Sequence, residues 1–397
     1  MEKTDNNINT IFINLVLSSI LFLTTYFLTV SNLEGAYNRD FLYHSEIAKN
    51  FSIEKIGQEV MNGNTYFMWH ALVSLLYNHG KVSLTSAAAV VTALANVLTL
   101  NFILEYMNQK VPTMDIYFQT YLGGGILFVG PLFFPWINPS YYLGTWTPNA
   151  WHNPTNNMVR PFAVAAVILI LDIIEAEEKK LYRYIILAVV LAFSVIAKPS
   201  FLQGIAPAMA LYVIVEIVHT KKINWKKWLS LASTFLPAVC IIFFQLWLTF
   251  YSGNTPSEGI GIEYLRVLNR YTNNAYISLL ACTLFPIFVM VVAMIMQRKN
   301  FLGNSRIIFA MCYLTVSWLE MAFLYEKGNR ERHANFAWGY MIAVLIVWVL
   351  CVAEFIHIMH SDIKYKSVVI NLGLILFTVH LLMGSWYIIS MLRGAPY

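Results

Sequence analysis

Apolar runs of about 18 or more residues recur from one end of this 397-residue sequence to the other. A run of that length is what a helix needs to cross a bilayer, where only a helix or a closed barrel satisfies every backbone hydrogen bond. The composition agrees, because 58% of the residues are hydrophobic and only 12% are charged, whereas about a quarter are charged in a typical soluble domain. The pattern predicts an all-α polytopic membrane protein.

About eleven transmembrane helices account for the apolar runs, within one membrane domain covering residues 1–397. The segment Tyr66–Tyr77 is amphipathic but too short to cross a bilayer comfortably, and it is predicted to be a juxtamembrane helix at the membrane interface. The predicted spans are 11–30, 84–106, 118–135, 159–175, a fifth ending near 197, 200–218, 229–251, 276–296, 306–324, 337–358 and 367–390.

The positions of the basic residues predict the orientation, with the N-terminus inside and the C-terminus outside the cell membrane. The outer face then receives the polar loops 31–82, 136–158, 252–275 and 325–336, together with the turn AKPS after the fifth span. The short loops on the inner side carry Lys179, Lys180, Arg183, Lys221, Lys222, Lys226, Lys227, Arg298, Lys299, Lys364 and Lys366.

A short run of charge follows the first span, at residues 37–50. In a helix, Asp40 and His44 are four residues apart and share one face, with Arg39 and Glu46 close by. This pattern is typical of a helix on a membrane surface whose polar edge faces a ligand. A solvated surface helix with internal ion pairs is the alternative.

Several other polar side chains collect on the same predicted face. Cations there run against the positive-inside bias, which indicates an anionic partner, phosphate above all, although lipid headgroups could explain any single one. Pro161 suits the first turn of a helix, which predicts that Arg160 lies at a helix N-terminus, where the helix dipole disfavours its charge. An anion bound between Arg160 and that N-terminus would relieve this, and a plain loop with a snorkelling Arg160 is the alternative. The candidates are Trp151, His152, Asn153, Arg160, Lys198, Glu320, Arg330, Arg332 and His333.

Glu320 differs from these because it lies inside an apolar run, where a carboxylate costs roughly 2–3 kcal/mol. Pairing with Arg or Lys and contact with a substrate both remain open for it.

Metal and nucleotide motifs are absent from the sequence, which has no GxGxxG, no HExxH and no paired CxxC. No metal ligands are therefore assigned, although a divalent cation (Mg or Mn) stays open as a cofactor. No basic tract stands apart from a membrane boundary, so nucleic acid is not expected as a partner.

Residues 1–200 resemble the C-type glycosyltransferase superfamily (GT-C), whose members use polyprenyl-phosphate sugars. The similarity lies in the layout: a first span, a long outer loop with an early acidic residue (NRDFLYHSEIA), an amphipathic segment ending LLYNHG, and the second span. The layout is most similar to the protein O-mannosyltransferase and aminoarabinose-transferase branches. The sequence departs from the family in having no second acidic residue beside Asp40.

The resemblance implies an inverting glycosyltransferase that moves a sugar from a polyprenyl-phosphate donor at the outer face. It gives Asp40 the role of base, and it makes Lys198, Arg330 and Arg332 candidates for the donor phosphate. His44 would orient Asp40 or the acceptor, which is a lipid, a glycan or a protein, while His152, Asn153 and Arg160 would bind sugar or phosphate and Trp151 would stack on a sugar. The alternatives are a flippase or transporter of a lipid-linked sugar or other anionic lipid, and a scaffold that binds anionic lipid.

Overall fold

The structure is a computed structural model that describes residues 2–35, 39–111, 114–138, 141, 144–176, 180–250 and 259–394. Positions 37, 38 and 179 of the predicted features lie outside these residues. The described chain forms the helices α1 Glu2–Glu34, α2 Arg39–Asn50, α3 Ile56–Met61, α4 Met68–Asn78, α5 Leu84–Lys110, α6 Ile116–Gly125, α7 Pro154–Glu175, α8 Leu181–Ala197, α9 Ser200–Thr220, α10 Trp225–Ser233, α11 Leu236–Phe250, α12 Ala275–Gln297, α13 Ser305–Phe323, α14 Asn335–His360 and α15 Lys366–Leu392. Strands β1 Ile260–Ile262 and β2 Leu324–Glu326 pair antiparallel, with Gly261 opposite Tyr325.

Eight helical segments in the described residues are long and apolar enough to cross a membrane, namely those containing α1, α5, α7, α9, α12, α13, α14 and α15. A ninth arises if α10 and α11, which meet at a 45° bend, are counted as one span. Pro237 lies in the first turn of α11, where a missing N–H costs no helical hydrogen bond. The prediction of an all-α polytopic membrane protein is confirmed, and every predicted span except the third coincides with a helix or with this bent pair.

The third predicted span, 118–135, is not a continuous helix. Helix α6 ends at Gly125, one 3-10 turn follows, and the backbone from residue 129 is extended. The sequence explains this, because Pro131 and Pro135 lack an N–H and disfavour a helical residue before them.

The extended segment finds its hydrogen bonds on two neighbouring helices. The N–H of Gly130 donates to the carbonyl of His380 on α15 at 2.9 Å, and the N–H of Leu132 donates to Ala281 on α12 at 2.8 Å. Gly384 permits this approach, because a Cβ there would overlap the carbonyl oxygen of Phe128. Non-helical backbone is thus buried in protein, where its polar groups are satisfied.

The second predicted loop, 136–158, is only partly a loop, because its last five residues belong to α7. Residues 144–153 are all buried. Asn149 shows why the burial is tolerated: its Nδ2 donates to the carbonyls of Ile126 and Val129 at 2.8 and 2.9 Å, where the helical bonds of α6 have ended.

Helix α7 begins at Pro154 rather than at residue 159. Asn153 is its N-cap and Pro154 its first residue, so the proline chemistry expected at Pro161 occurs earlier in the chain. The prediction that Arg160 lies at a helix N-terminus is therefore wrong. Arg160 lies in the second turn of α7, fully buried against α5.

Helix α14 forms the centre of the bundle, because 94% of the residues in its most apolar stretch are buried. Trp348 on α14 stacks on Phe285 of α12 at 5.0 Å and contacts Phe377 of α15. At one end of the bundle, Arg306 pairs with Glu354 at 3.2 Å, joining α13 to α14. Residues 39–83 and the N-termini of α7 and α9 lie at the other end, called here the first-loop end.

We expect Gly384→Ala to destabilise the fold by about 1–3 kcal/mol, because the added methyl group must displace backbone rather than a flexible side chain. Thermal unfolding in detergent would measure this. Gly57→Ala is the control, since nothing lies within 4 Å of a Cβ at that position. Equal melting temperatures for the two variants would contradict the close contact at α15.

Candidate functional site

Helices α2 and α4 form a packed pair at the first-loop end. The ring of Phe41 meets Trp69 edge to face at 6.4 Å, and Nδ1 of His44 lies 2.9 Å from Nε2 of His70. Burial, with His70 and Lys198 nearby, holds the pKa of His44 well below its ordinary value. Burial also lowers the pKa of His70 to about 4, so both histidines are neutral at pH 7 and the N–H of one ring can donate to the bare nitrogen of the other. The pair holds α2, which carries Asp40, against α4.

Asn153 connects three elements of the site. Its Nδ2 donates to Oδ2 of Asp40 at 2.9 Å, and its Oδ1 accepts from Nζ of Lys198 at 3.1 Å. The same Oδ1 caps α7 by accepting from the N–H of Asn156 at 2.8 Å. Thr155 completes the group, because its Oγ1 accepts from Lys198 at 3.0 Å. Asp40 and Lys198 are thus held one amide apart.

Lys198 is a buried cation in the short link between α8 and α9. Its side chain is 9% exposed, and its ammonium lies 4.2 Å from the ring centre of Trp338. Burial lowers its pKa to about 7, which Asp40 partly opposes. No carboxylate in the part of the chain that the structure describes lies within 4.0 Å of it. The charge is therefore only partly compensated by hydrogen bonds and the indole ring.

The predicted residues His152, Trp151 and Arg160 lie directly behind Asn153, all buried. Nδ1 of His152 is 3.3 Å from the hydroxyl of Tyr387. Burial lowers the pKa of His152 to about 4, although Asp40 raises it. Arg160 donates to Oδ1 of Asn96 at 3.2 Å and lies 5.9 Å from the ring of Trp151. These buried side chains pack beneath the loop that carries Asn153 and do not line the cavity.

A cavity of about 130 Å³ opens beside Lys198. Helix α11 contributes apolar residues to one wall, while α9 and the α13–α14 connection contribute polar ones, so the cavity is amphipathic. It is lined by Thr65, Tyr66, Lys198, Pro199, Ser200, Gln203, Ile242, Gln245, Leu246, Ile260, Glu326, Arg330, Asn335, Phe336 and Trp338.

Arg330 brings a second cation to this cavity. Its guanidinium lies 3.3 Å from Glu326, which also accepts from Asn335. Tyr66 lies among these charges: burial raises its pKa to about 12, Glu326 and Asp40 add to the rise, and Arg330 opposes it. Two cations and one carboxylate from distant parts of the chain thus line one cavity, and Asp40 lies behind Lys198 on the other side of Asn153.

Five predicted residues stay outside this group. Arg39 and Glu46 are exposed on α2, and Glu46 contacts only Asn50 and Lys49 of its own helix among the contacts described. Arg332 and His333 are exposed and do not line the cavity.

Glu320, the fifth, packs near Gly204 on α9, and within the described residues no Lys, Arg or His lies within 4.0 Å of its carboxylate.

Several residues of the cavity were not predicted. Trp338 and Ser200 lie at the starts of predicted spans, where apolar composition made them look structural. Thr155 follows Asn153 and Pro154, a pattern that signals the start of a capped helix and could have placed it. Glu326 lies four residues before Arg330, a spacing that could have indicated the ion pair.

No group of three or more His, Cys, Asp or Glu side chains within the described ranges could hold a metal ion. Of the histidines, His44 and His70 are in contact, whereas His152 contacts Tyr387 and Trp338 instead.

No protein-family model matches this sequence, and no curated protein matches it. Among solved structures, the chain is similar to the crystal structure of ArnT from Cupriavidus metallidurans bound to undecaprenyl phosphate. The TM-score is 0.48 and the sequence identity is 9%, and the match covers 96% of this chain and 75% of the ArnT chain.

We expect the stability of the wild-type protein to rise relative to Lys198→Met as the pH increases from about 7 towards 10. The folded chain has released the proton of Lys198 in this range, whereas the unfolded chain keeps it up to the ordinary pKa of 10.5. The difference should change by up to about 1.4 kcal/mol per pH unit. Unfolding curves in detergent at each pH would measure it.

Lys226→Met serves as the control, because Lys226 is exposed on α10. Parallel stability profiles for wild type and Lys198→Met across this pH range would contradict the burial of the ammonium.

Proposed function

We propose that this protein is a membrane glycosyltransferase that moves a sugar from a polyprenyl-phosphate donor to an acceptor at the outer face of the cell membrane. One observation carries the proposal: the ammonium of Lys198 lies on the wall of an amphipathic cavity, without a carboxylate in ion-pair contact among the described residues, and Asn153 links it to Asp40. An inverting transfer requires a base for the acceptor proton and a cation that stabilises the leaving phosphate, and both groups are held here on either side of the Asn153 amide.

The shape of the cavity supports a lipid-linked donor. Ile242 and Leu246 line it from α11, and Phe243 and Trp247 on the same helix are at least half exposed. An acyl or prenyl tail could therefore lie along α11 while the polar head reaches Lys198 and Arg330. A soluble sugar nucleotide has no apolar tail that could pack against this wall.

The reaction can be written with these groups. The acceptor oxygen forms a bond to the anomeric carbon while the bond from that carbon to the phosphate oxygen breaks. The acceptor proton passes to the carboxylate of Asp40, and the electron pair of the broken bond leaves with the polyprenyl phosphate. The phosphate changes from a singly charged diester to a doubly charged monoester. Lys198 and Arg330 stabilise that additional charge as it develops.

The histidine pair has a positioning role in this scheme. His44 and His70 pack α2 onto α4, so the carboxylate of Asp40 stays within hydrogen-bond reach of Asn153. The side chains of Tyr66 and Phe336, which line the cavity, supply aromatic surface for a sugar ring.

The orientation is part of the proposal. The end of the bundle away from the site carries the basic loops predicted to lie inside, so the positive-inside rule supports an outer site. The acceptor class, whether lipid, glycan or protein, and any need for Mg or Mn stay open.

We expect Asp40→Asn to lower the rate of transfer at least about 100-fold, because an amide cannot take the acceptor proton. Donor affinity should change little, since the phosphate is bound by other groups. The assay follows the release of labelled polyprenyl phosphate from glucosyl and mannosyl donors by the purified protein. Glu46→Gln removes an exposed carboxylate of the same helix and should keep the wild-type rate. If a folded Asp40→Asn protein releases polyprenyl phosphate at the wild-type rate, Asp40 is not the base.

A transporter of lipid-linked sugar is the rival function, and the same preparation separates the two. In proteoliposomes a transporter moves the intact donor between leaflets, and the phosphate–sugar bond survives. We expect cleavage of that bond instead, with a rate that depends on Asp40. Leaflet exchange without cleavage would favour transport.

A further inference from the structure

The N-terminus of α9 opens onto the cavity beside Lys198. Pro199 is its N-cap residue and supplies no side-chain hydrogen bond to the helix. The first intrahelical bond runs from the N–H of Gln203 to the carbonyl of Pro199 at 3.2 Å. By helix geometry, the N–H groups before Gln203 have no carbonyl partner within the helix, and the helix dipole places partial positive charge there. Pro199, Ser200 and Gln203 all line the cavity.

Ser200 gives an independent indication of a missing partner. Its side chain is 4% exposed, and its Oγ has no hydrogen-bond partner among the described residues. A buried hydroxyl without a partner is uncommon and costs stability. This residue is the first of α9 and lines the cavity, so a ligand oxygen at the helix N-terminus would satisfy both the hydroxyl and the backbone.

The flanking groups suit an anion. Lys198 lies two residues before the start of α9, and its ammonium lines the cavity. The guanidinium of Arg330 lines the same cavity from the α13–α14 connection. The carboxylate of Glu326 is engaged by Arg330 and Asn335, so its charge is offset. Helix α14 also packs closely against the start of α9, because a Cβ added at Gly339 would lie only 3.0 Å from the carbonyl oxygen of Ser200.

We infer that the N-terminus of α9 is a phosphate seat, formed by the first backbone N–H groups of the helix, Oγ of Ser200 and Nζ of Lys198, with Arg330 facing it. The inference rests on the proposed function and deepens it, because it assigns the atoms that hold the phosphate group. One phosphate oxygen is bound by the ammonium, one by the helix N-terminus and one by the serine hydroxyl. Tetrahedral phosphate offers enough oxygens for all three.

The first test measures binding without transfer. The full chain is purified in detergent, and its affinity is determined for farnesyl phosphate, a short polyprenyl phosphate, and for inorganic phosphate. We expect Ser200→Ala to weaken binding about 10-fold, as for a lost hydrogen bond to a charged group. Ser83→Ala removes the N-cap serine of α5, away from the seat, and should leave the affinity unchanged. Equal affinities of wild type and Ser200→Ala for both probes would overturn the seat.

A second pair of variants tests the charge preference without a ligand. Ser200→Asp places a carboxylate beside Lys198 at the helix N-terminus, and Ser200→Asn adds the same bulk without charge. We expect the aspartate variant to melt at a higher temperature than the asparagine variant and to lose binding of both phosphate probes. A lower melting temperature for the aspartate variant would show that the site repels an anion, which overturns the inference.

The two probes also separate the source of the phosphate. Tighter binding of farnesyl phosphate than of inorganic phosphate, with both dependent on Ser200, identifies a lipid headgroup. Equal binding identifies free phosphate in the same seat. Phosphate binding that depends on Ser200 in a protein with no transfer activity would reject the proposed function and retain the seat. Transfer activity together with wild-type phosphate affinity in Ser200→Ala would retain the proposed function and reject the seat.

Discussion

Backbone polar groups inside a bilayer must find their partners within the protein, and the shape of this molecule depends on how one irregular segment meets that requirement. After α6 ends, Gly130 and Leu132 lie against α15 and α12, and residues 144–153 are buried. Gly130 and Leu132 donate to helix carbonyls, and Asn149 serves the carbonyls that α6 leaves open. The buried loop delivers Asn153 to the point where α2, α7 and α8 meet. The position of Asn153 in the site therefore depends on the third apolar run not forming a continuous transmembrane helix.

The charges of the site are arranged to remain usable. If Asp40 and Lys198 were in direct contact, each would neutralise the other, and neither could serve a substrate well. An intervening amide holds the two side chains in fixed positions while it leaves the ammonium turned towards the cavity and Trp338. Burial makes the isolated cation expensive, and this stored cost favours any anion that arrives. Arg330, already paired with Glu326, offers its charge without the same penalty.

Much of the fold could be predicted because hydrophobic length is a direct physical signal for a membrane helix. The failures came where prolines interrupt an apolar run, as at Pro131, since hydropathy does not record a missing N–H. The positions of Asp40, Asn153 and Lys198 were predicted to converge from the parity of the spans, and they do lie together. Their partners Ser200 and Trp338 could not be found in the same way, because a polar atom at the start of a span acquires meaning only from the helix packed against it.

Asn153 has two structural roles, and together they restrict which amino acids can occupy its position. As the cap of α7 it must accept from a backbone N–H, which Asp, Ser and Thr also do well. As the bridge of the site it must also donate to a carboxylate while it accepts from an ammonium. An aspartate there would repel Asp40, and a hydroxyl is too short to span both neighbours. Sequence drift at this residue should thus be far more restricted than at an ordinary helix cap, and a neutral exchange that preserves the helix would still cut the link between acid and cation.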